Sequence, residues 1–163
     1  PPLADPMLRR LQNHPRLLEI AYGLTLRALQ PFKRWLKPGG AVAAVFVPVE
    51  HLSKGALFNC QMCGQCVLHS TGMTCPMNCP KNLRNGPCGG VRADGHCEIK
   101  PEMPCVWVQA WERSRRMPAY GHELLNVLPP VNRSLQGTSA WINDFTGAAQ
   151  QNPAGWVGAQ TER

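Results

Sequence analysis

The chain has 163 residues, 44% of them hydrophobic, which suits one modest domain and excludes a full-length α/β barrel within this sequence. Its 15 glycines and 16 prolines exceed the usual share of a globular chain without reaching a disordered composition, so much irregular backbone is expected. The formal net charge is +7, and residues 1–40 carry seven cationic side chains against two acidic ones, so this end is expected to meet an acidic surface.

Residues 1–40 are predicted to form a basic, amphipathic helical segment. Asp5-Pro6 and His14-Pro15 are typical helix starts, and Pro31 is a typical end. Apolar residues at helical spacing are expected to pack in the core: Leu17, Ile20, Ala21, Leu24 and Ala28. The basic back of this helix is expected to dock on an acidic protein face, with a solvated surface as the alternative. Nucleic acid is not favoured as a partner, because basic and aromatic residues are not interleaved.

An apolar run follows from Ala41 to Val49 and is rich in β-branched residues. It is predicted to form one buried strand, or an extended segment laid against a partner. Because this run has about half of the ~20 residues that a bilayer requires, no membrane span is predicted. A cytoplasmic location is expected, since no signal peptide is visible.

Residues 41–117 are predicted to form a cysteine-rich domain, and all of the cysteines fall within it. They are Cys60, Cys63, Cys66, Cys75, Cys79, Cys88, Cys97 and Cys105, with the spacing C-x2-C-x2-C-x8-C-x3-C-x8-C-x8-C-x7-C. Disulfides, zinc sites and iron–sulfur clusters can each explain such a set. Disulfides are not favoured, because they would crowd one segment of a chain that otherwise has helical, core-forming parts.

The triplet Cys60, Cys63 and Cys66 distinguishes the two metal explanations. Zinc ribbons use paired C-x2-C knuckles, whereas three thiolates at successive three-residue steps suit one corner of an iron–sulfur cubane. The cysteine–proline steps at Cys75 and Cys79 partly match the one in bacterial ferredoxin motifs. Iron–sulfur ligation is therefore favoured, with structural zinc as the main alternative.

Two [4Fe–4S] clusters would use all eight thiolates. A tentative grouping assigns the triplet to one cluster and three cysteines to the other, namely Cys75, Cys79 and Cys88. The two remaining cysteines, Cys97 and Cys105, would complete the clusters in an order that the spacing leaves open. Cationic side chains in the same segment are candidates to offset cluster charge: Lys81, Arg84 and Arg92.

After the cysteines, a helix is predicted to start near Pro104 and to carry Val108 and Trp111 inward. Residues 118–163 are predicted to form an extended tail that wraps a partner, with one short helix at 124–128. The expected fold is thus small, α-rich and irregular, with N-terminal helices, a metal-cluster core, one following helix and the tail. No catalytic residue is assigned, because no Ser, His and Asp set, paired acid or phosphate loop is visible.

Three runs of sequence carry a resemblance to a known family: FNCQMCGQC at 58–66, TGMTCPMNCPK at 71–81 and RNGPCGG at 84–90. Together with Gly95-His96-Cys97-Glu98 and Pro104-Cys105-Val106-Trp107, they resemble the methylenetetrahydrofolate reductase C-terminal domain family. The resemblance covers roughly residues 50–117, and 137–141 resemble the family's tail more weakly.

This resemblance implies an iron–sulfur accessory subunit that transfers electrons in one-carbon metabolism. FAD and the folate substrate would bind a separate flavin-dependent methylenetetrahydrofolate reductase-like subunit, and an electron donor or acceptor protein would complete the hetero-oligomer. One alternative is a structural zinc-binding subunit that stabilises the flavin subunit. Another is a nucleic-acid-binding zinc domain that uses the basic N-terminus.

Overall fold

The computed structural model of the chain describes residues 10–151, and its regular structure there is helical. The α-helices are α1 (Pro15–Leu29), α2 (Ala41–Phe58), α3 (Val106–Ser114) and α4 (Ala140–Phe145). Short 3₁₀ turns join them, and within 10–151 the extended pairing is limited to the isolated bridges Val91–Cys97 and His96–Pro104. The prediction of a small, α-rich and irregular fold with a cysteine-rich core is confirmed. The predicted start at Asp5-Pro6 lies outside the described residues.

Helix α1 forms where the apolar spacing predicted it, but a different side of the helix is buried against the protein. Leu17, Ile20 and Leu24 are 57%, 61% and 59% exposed, so the prediction that this stripe packs in the core is wrong. The buried side carries Glu19, whose carboxylate accepts the backbone N–H groups of Ala119 at 3.0 Å and Tyr120 at 2.8 Å. A buried carboxylate must be hydrogen-bonded, so this polar anchor sets the rotation of the helix.

Helix α2 replaces the predicted strand at 41–49. It runs for 18 residues through Pro48, starts after Gly40 and ends at Asn59, which adopts a left-handed conformation with φ 51°. β-Branched residues favour strands only weakly. The protein-facing side includes Glu50 and Lys54, four residues apart and joined by an ion pair of 2.6 Å, and this pairing requires helical spacing.

The prediction of no membrane span rested on the nine-residue apolar run, and the full helix contradicts that premise. By length and composition alone α2 is able to cross a membrane, and only 28% of it is buried in the protein. Its charged residues Glu50 and Lys54 are nevertheless buried, and the Ser139 hydroxyl also donates to Glu50. These contacts make α2 a helix of the folded domain that leaves one apolar face uncovered.

Helix α3 confirms the helix predicted after Cys105, with a different inward face. Trp107 and Ala110 are 5% and 1% exposed, whereas Trp111 is 50% exposed, so the inward placement of Trp111 is wrong. The buried Arg113 donates to Gln12 at 2.9 Å and to Thr74 at 2.8 Å. This side chain therefore ties the N-terminal segment, the cysteine region and α3 together.

The described part of the predicted tail packs back on the cysteine region. Asn132 donates its backbone N–H to Gln65 at 2.7 Å, and the Asn143 side chain donates to the Gly64 carbonyl at 2.8 Å. Ser139, which caps α4, is 2% exposed. Residues 131–150 are thus less extended than expected and cover the first cysteines of their own chain.

Candidate metal centre

Four of the cysteines line one enclosed cavity of about 20 Å³: Cys60, Cys63, Cys66 and Cys75. The chain turns sharply just before and between the first three, with positive φ at Asn59, Met62 and Gly64. A side chain at Gly64 is excluded, because a Cβ there would lie 2.2 Å from the Leu135 carbonyl oxygen. The tight turns bring the triplet around the cavity, and Cys75 closes it from the next segment.

Burial controls the acidity of these thiols. The pKa of Cys60 is raised to about 11 and that of Cys75 to about 12, first by burial and further by the negative charges of neighbouring thiolates, Cys66 among them. The free thiols of Cys60 and Cys75 therefore stay protonated at neutral pH. A bound metal would displace those protons, since the thiolate is the ligand form.

Two buried cations flank the same cavity. Lys54 pairs with Glu50. Burial is the largest single influence on the pKa of Lys54 and lowers it, but the negative charges of Cys66 and Glu50 together raise this pKa above its ordinary value. Arg84 donates through both terminal nitrogens to the Gln65 carbonyl at 3.3 Å, while its buried Nε has no hydrogen-bond partner. Because Glu50 balances Lys54, Arg84 is the cation available to offset the negative charge of thiolate-bound metal.

The other four cysteines lie farther along the chain. Cys79 and Cys105 are buried in one cluster with Trp107 and Ala110, and Val91 packs against it. Cys97 forms an isolated backbone bridge with Val91. Cys88 lies near Lys81, and the pKa of Lys81 is raised chiefly by its hydrogen bond with Glu98 and also by Cys88. The Nε1 of Trp107 is buried without a hydrogen-bond partner.

The structure thus divides the cysteines differently from the tentative grouping. Cys75 joins the triplet around the first cavity, which leaves Cys79, Cys88, Cys97 and Cys105 as the second set. Each set also contains one orphaned buried N–H, on Arg84 or on Trp107, that suits an acceptor such as a cluster sulfur. The donor chemistry of both sets fits a thiolate-bound metal cluster.

Among residues 10–151, no three Cys, His, Asp or Glu side chains are placed to share one metal ion.

Some residues of the site were missed by sequence reasoning. Glu50 and Lys54 were overlooked because they follow an apolar run that was interpreted as a strand. Their four-residue spacing is the signal that would have identified them on a helix. Near the same cavity, the ring of His69 stacks on Tyr22 with centroids 5.2 Å apart.

Comparison with known proteins identifies the family of this chain. A family model described as the C-terminal region of methylene-tetrahydrofolate reductase matches residues 40–134, which include both cysteine sets. No curated protein and no solved structure shows a significant match.

Proposed function

Since the chain belongs to the methylene-tetrahydrofolate reductase C-terminal family, we propose that it is the iron–sulfur electron-transfer subunit of a reductase of that type. Cys60, Cys63, Cys66 and Cys75 would hold one [4Fe–4S] cluster, and Cys79, Cys88, Cys97 and Cys105 the other. When bound, such clusters supply one-electron transfer. FAD and folate belong to a separate subunit, and this chain alone carries no catalytic role.

One observation carries this proposal: four thiols surround an enclosed cavity that also has buried cations in its wall. Glu50 balances Lys54, but burying Arg84 is unfavourable unless negative charge lies close by. Four metal-bound thiolates would supply that charge. The orphaned Nε of Arg84 supports the same interpretation, because a buried donor without an acceptor costs about 1–3 kcal/mol.

The surface suited to the flavin subunit is formed by α1 and α2. Exposed apolar side chains on these helices and on the segment between them are Leu17, Ile20, Leu24, Phe32, Trp35, Val42, Val45, Val49 and Leu52. Exposed Arg27, Lys33 and Arg34 lie in the same stretch of chain. This combination of apolar residues and positive charge suits a partner face with an apolar centre and an acidic rim.

A structural zinc subunit is the second candidate, favoured by the sulfur-only donor sets, which tetrahedral zinc also uses. The two functions differ in metal content and in electron exchange. Zinc has no redox activity, so a zinc form would stabilise the flavin subunit without carrying electrons.

The experiment compares the flavin subunit with and without this chain. Alone, it should keep its flavin and exchange electrons between the folate substrate and a small dye, but it should lose exchange with its large natural donor. Adding the wild-type chain should restore that exchange.

The control is a Cys79→Ala or Cys88→Ala chain that still binds the flavin subunit. It should fail to restore exchange with the natural donor. Full turnover with a metal-free chain that docks normally would overturn the electron-transfer function.

A further inference from the structure

A cleft lies between α1 and α2, beside the first cysteine set, and we call it the α1–α2 cleft. It has a volume of about 270 Å³ and is partly open to the surface. Exposed Ala21 and Ser53 line its opening, and buried Phe58, Leu68 and Met73 line its inner part. Small-molecule pockets usually measure about 300–1,000 Å³, so this cleft suits one large side chain better than a whole cofactor.

Polar side chains that line the α1–α2 cleft already have partners within the chain. The hydroxyls of Thr25 and Ser53 each donate at 2.8 Å to a backbone carbonyl one turn earlier in their own helix. Lys54 is paired with Glu50, and Asp144 accepts a side-chain hydrogen bond at 2.8 Å. A ligand that depends on hydrogen bonds would compete with these contacts, whereas an apolar group would leave them intact. The cleft therefore favours an apolar occupant.

Exposed apolar side chains surround the opening of the cleft. Leu17 and Leu24 each lie one turn from Ala21 on α1, and Val49 lies one turn from Ser53 on α2. These three apolar side chains are 57%, 59% and 59% exposed. A pocket ringed by apolar side chains is the arrangement of an interface hot spot, in which one anchor is buried and its surroundings exclude water.

The cleft is continuous with the surface of α1 and α2 that suits the flavin subunit. Exposed Arg27 lies on α1 near the same opening, which adds charge complementarity to an acidic rim on that partner. Cys66 and Lys54 line both the cleft and the cavity of the first cysteine set. A side chain seated in the cleft would therefore bring the flavin subunit beside that set.

We propose that the α1–α2 cleft is the hot spot of the flavin-subunit interface and receives one large apolar side chain of that subunit. The inference rests on the proposed function for the identity of the partner. It deepens that function by locating the anchor of the complex beside Cys66.

The test measures the dissociation constant between the flavin subunit and the full chain carrying Ala21→Trp or Ser53→Phe. Either substitution places a large ring in the opening of the cleft. The dissociation constant should therefore rise at least about thirtyfold, the scale of a lost hot-spot contact. Both positions are exposed, so circular dichroism, melting temperature and metal content should match those of the wild type.

Two further variants control for added bulk alone. Leu17→Trp adds a ring beside the cleft on the same helix and should change the dissociation constant by less than about threefold, because contacts around a hot spot are energetically near neutral. Ala93→Trp adds the same ring at an exposed residue of the cysteine region and should have no effect.

Folded Ala21→Trp and Ser53→Phe chains that bind the flavin subunit as tightly as the wild type would overturn the anchor, even with electron transfer intact. If these variants instead weaken self-association of the chain in sedimentation, the cleft accepts a second copy and the proposal fails. The expected loss of affinity, in a system where the wild type transfers no electrons, would support the anchor and contradict the proposed function. A wild-type chain that does not bind the flavin subunit would overturn both.

Discussion

The most informative single residues are Arg84 and Trp107, whose buried side chains each carry an N–H group without a hydrogen-bond partner among residues 10–151. Native proteins rarely leave such groups unpaired, since each costs about 1–3 kcal/mol. Each lies in a different cysteine set, one lining the first cavity and one packed on Cys79 and Cys105. We therefore interpret them as hydrogen-bond donors to the two proposed clusters.

The Trp107→Phe variant tests this role at the second cysteine set. Hydrogen bonds to cluster sulfurs raise the reduction potential, so their loss should lower the potential of one cluster by roughly 40 mV, the equivalent of one hydrogen bond. A redox titration followed by electron paramagnetic resonance measures the shift. Trp111→Phe, at a residue 50% exposed, is the matched control and should leave both potentials unchanged. An unaltered potential in folded Trp107→Phe would contradict the assignment.

His69 gives a pH dependence with a defined sign. Burial lowers the pKa of His69 below its ordinary value of 6.5, although Glu123 at 3.2 Å opposes the shift. Below pH 6.5 the unfolded chain binds this proton more readily than the folded chain, so stability should fall as the pH falls from about 7.5 to about 5.5.

Thermal melts of metal-loaded protein measure this effect. His69→Gln should flatten the pH dependence of the melting temperature over that range, because the titrating imidazole is gone. His51→Gln, at an exposed histidine on α2, should retain the wild-type slope. Equal slopes in wild type and His69→Gln would show that other groups control acid stability.

At the scale of elements, helices α1 and α2 differ from the rest of the fold because they leave many apolar side chains exposed. Charge and apolar surface occur together on this part of the chain, and the two contributions to partner binding are separable. Charge affects the association rate and its salt dependence, whereas buried apolar contacts mainly affect dissociation.

Reversing Arg27, Lys33 and Arg34 to Glu should weaken association with the flavin subunit and make its salt dependence shallower. Dissociation constants measured over a range of ionic strength test this result. Lys100→Glu, at an exposed lysine in the cysteine region, is the control. Identical binding curves for wild type and the triple variant would leave these charges as solvated surface.

The apolar face is tested by Ile20→Ser combined with Val45→Ser. Both side chains are more than half exposed, at 61% and 69%, so the melting temperature should change little. Dissociation from the flavin subunit should become faster, by about tenfold if both side chains are buried in the interface. A large fall in melting temperature, or retention of the wild-type dissociation rate, would contradict a docking face.

Sequence reasoning succeeded on these elements where periodicity alone was enough. The apolar spacing located α1, and Cys105 followed by apolar residues located α3. The rotation of α1 depends on hydrogen bonds that the Glu19 carboxylate accepts from the backbone N–H groups of Ala119 and Tyr120, about 100 positions away, which no local pattern contains. The prediction of a strand at 41–49 was wrong because it relied on the valines of this nine-residue run and did not consider the Glu50 and Lys54 pair just beyond it.

At the scale of the whole molecule, the cysteine region holds the chain together with little regular structure. Between Asn59 and Cys105 the backbone forms only turns and isolated bridges, so few backbone ladders support it. Spacing identified the eight ligands as candidates but not their partition, because Cys75 reaches the first cavity only through the folded turns around Gly72. A Cβ at Gly72 would lie 2.3 Å from the Ala110 carbonyl oxygen, so this contact requires glycine.

Metal binding should therefore contribute directly to folding. Replacing Cys60, Cys63 and Cys66 together by Ala should remove one cluster and lower the melting temperature of the domain, because metal-binding free energy is folding free energy where other contacts are few. Calorimetry with parallel iron analysis measures both effects. A triple variant with full iron content and the wild-type melting temperature would show that these residues are not ligands.

The most direct measurement for the account as a whole is the iron, sulfide and zinc content of the full chain purified without oxygen, together with Cys63→Ser and Cys97→Ser. Two four-cysteine sites predict about eight iron and eight sulfide per chain in the wild type. Each variant should lose about half of both, since each disrupts a different set. Zinc without sulfide in the wild type, or full iron content in either variant, would contradict two iron–sulfur clusters divided between these two sets of cysteines.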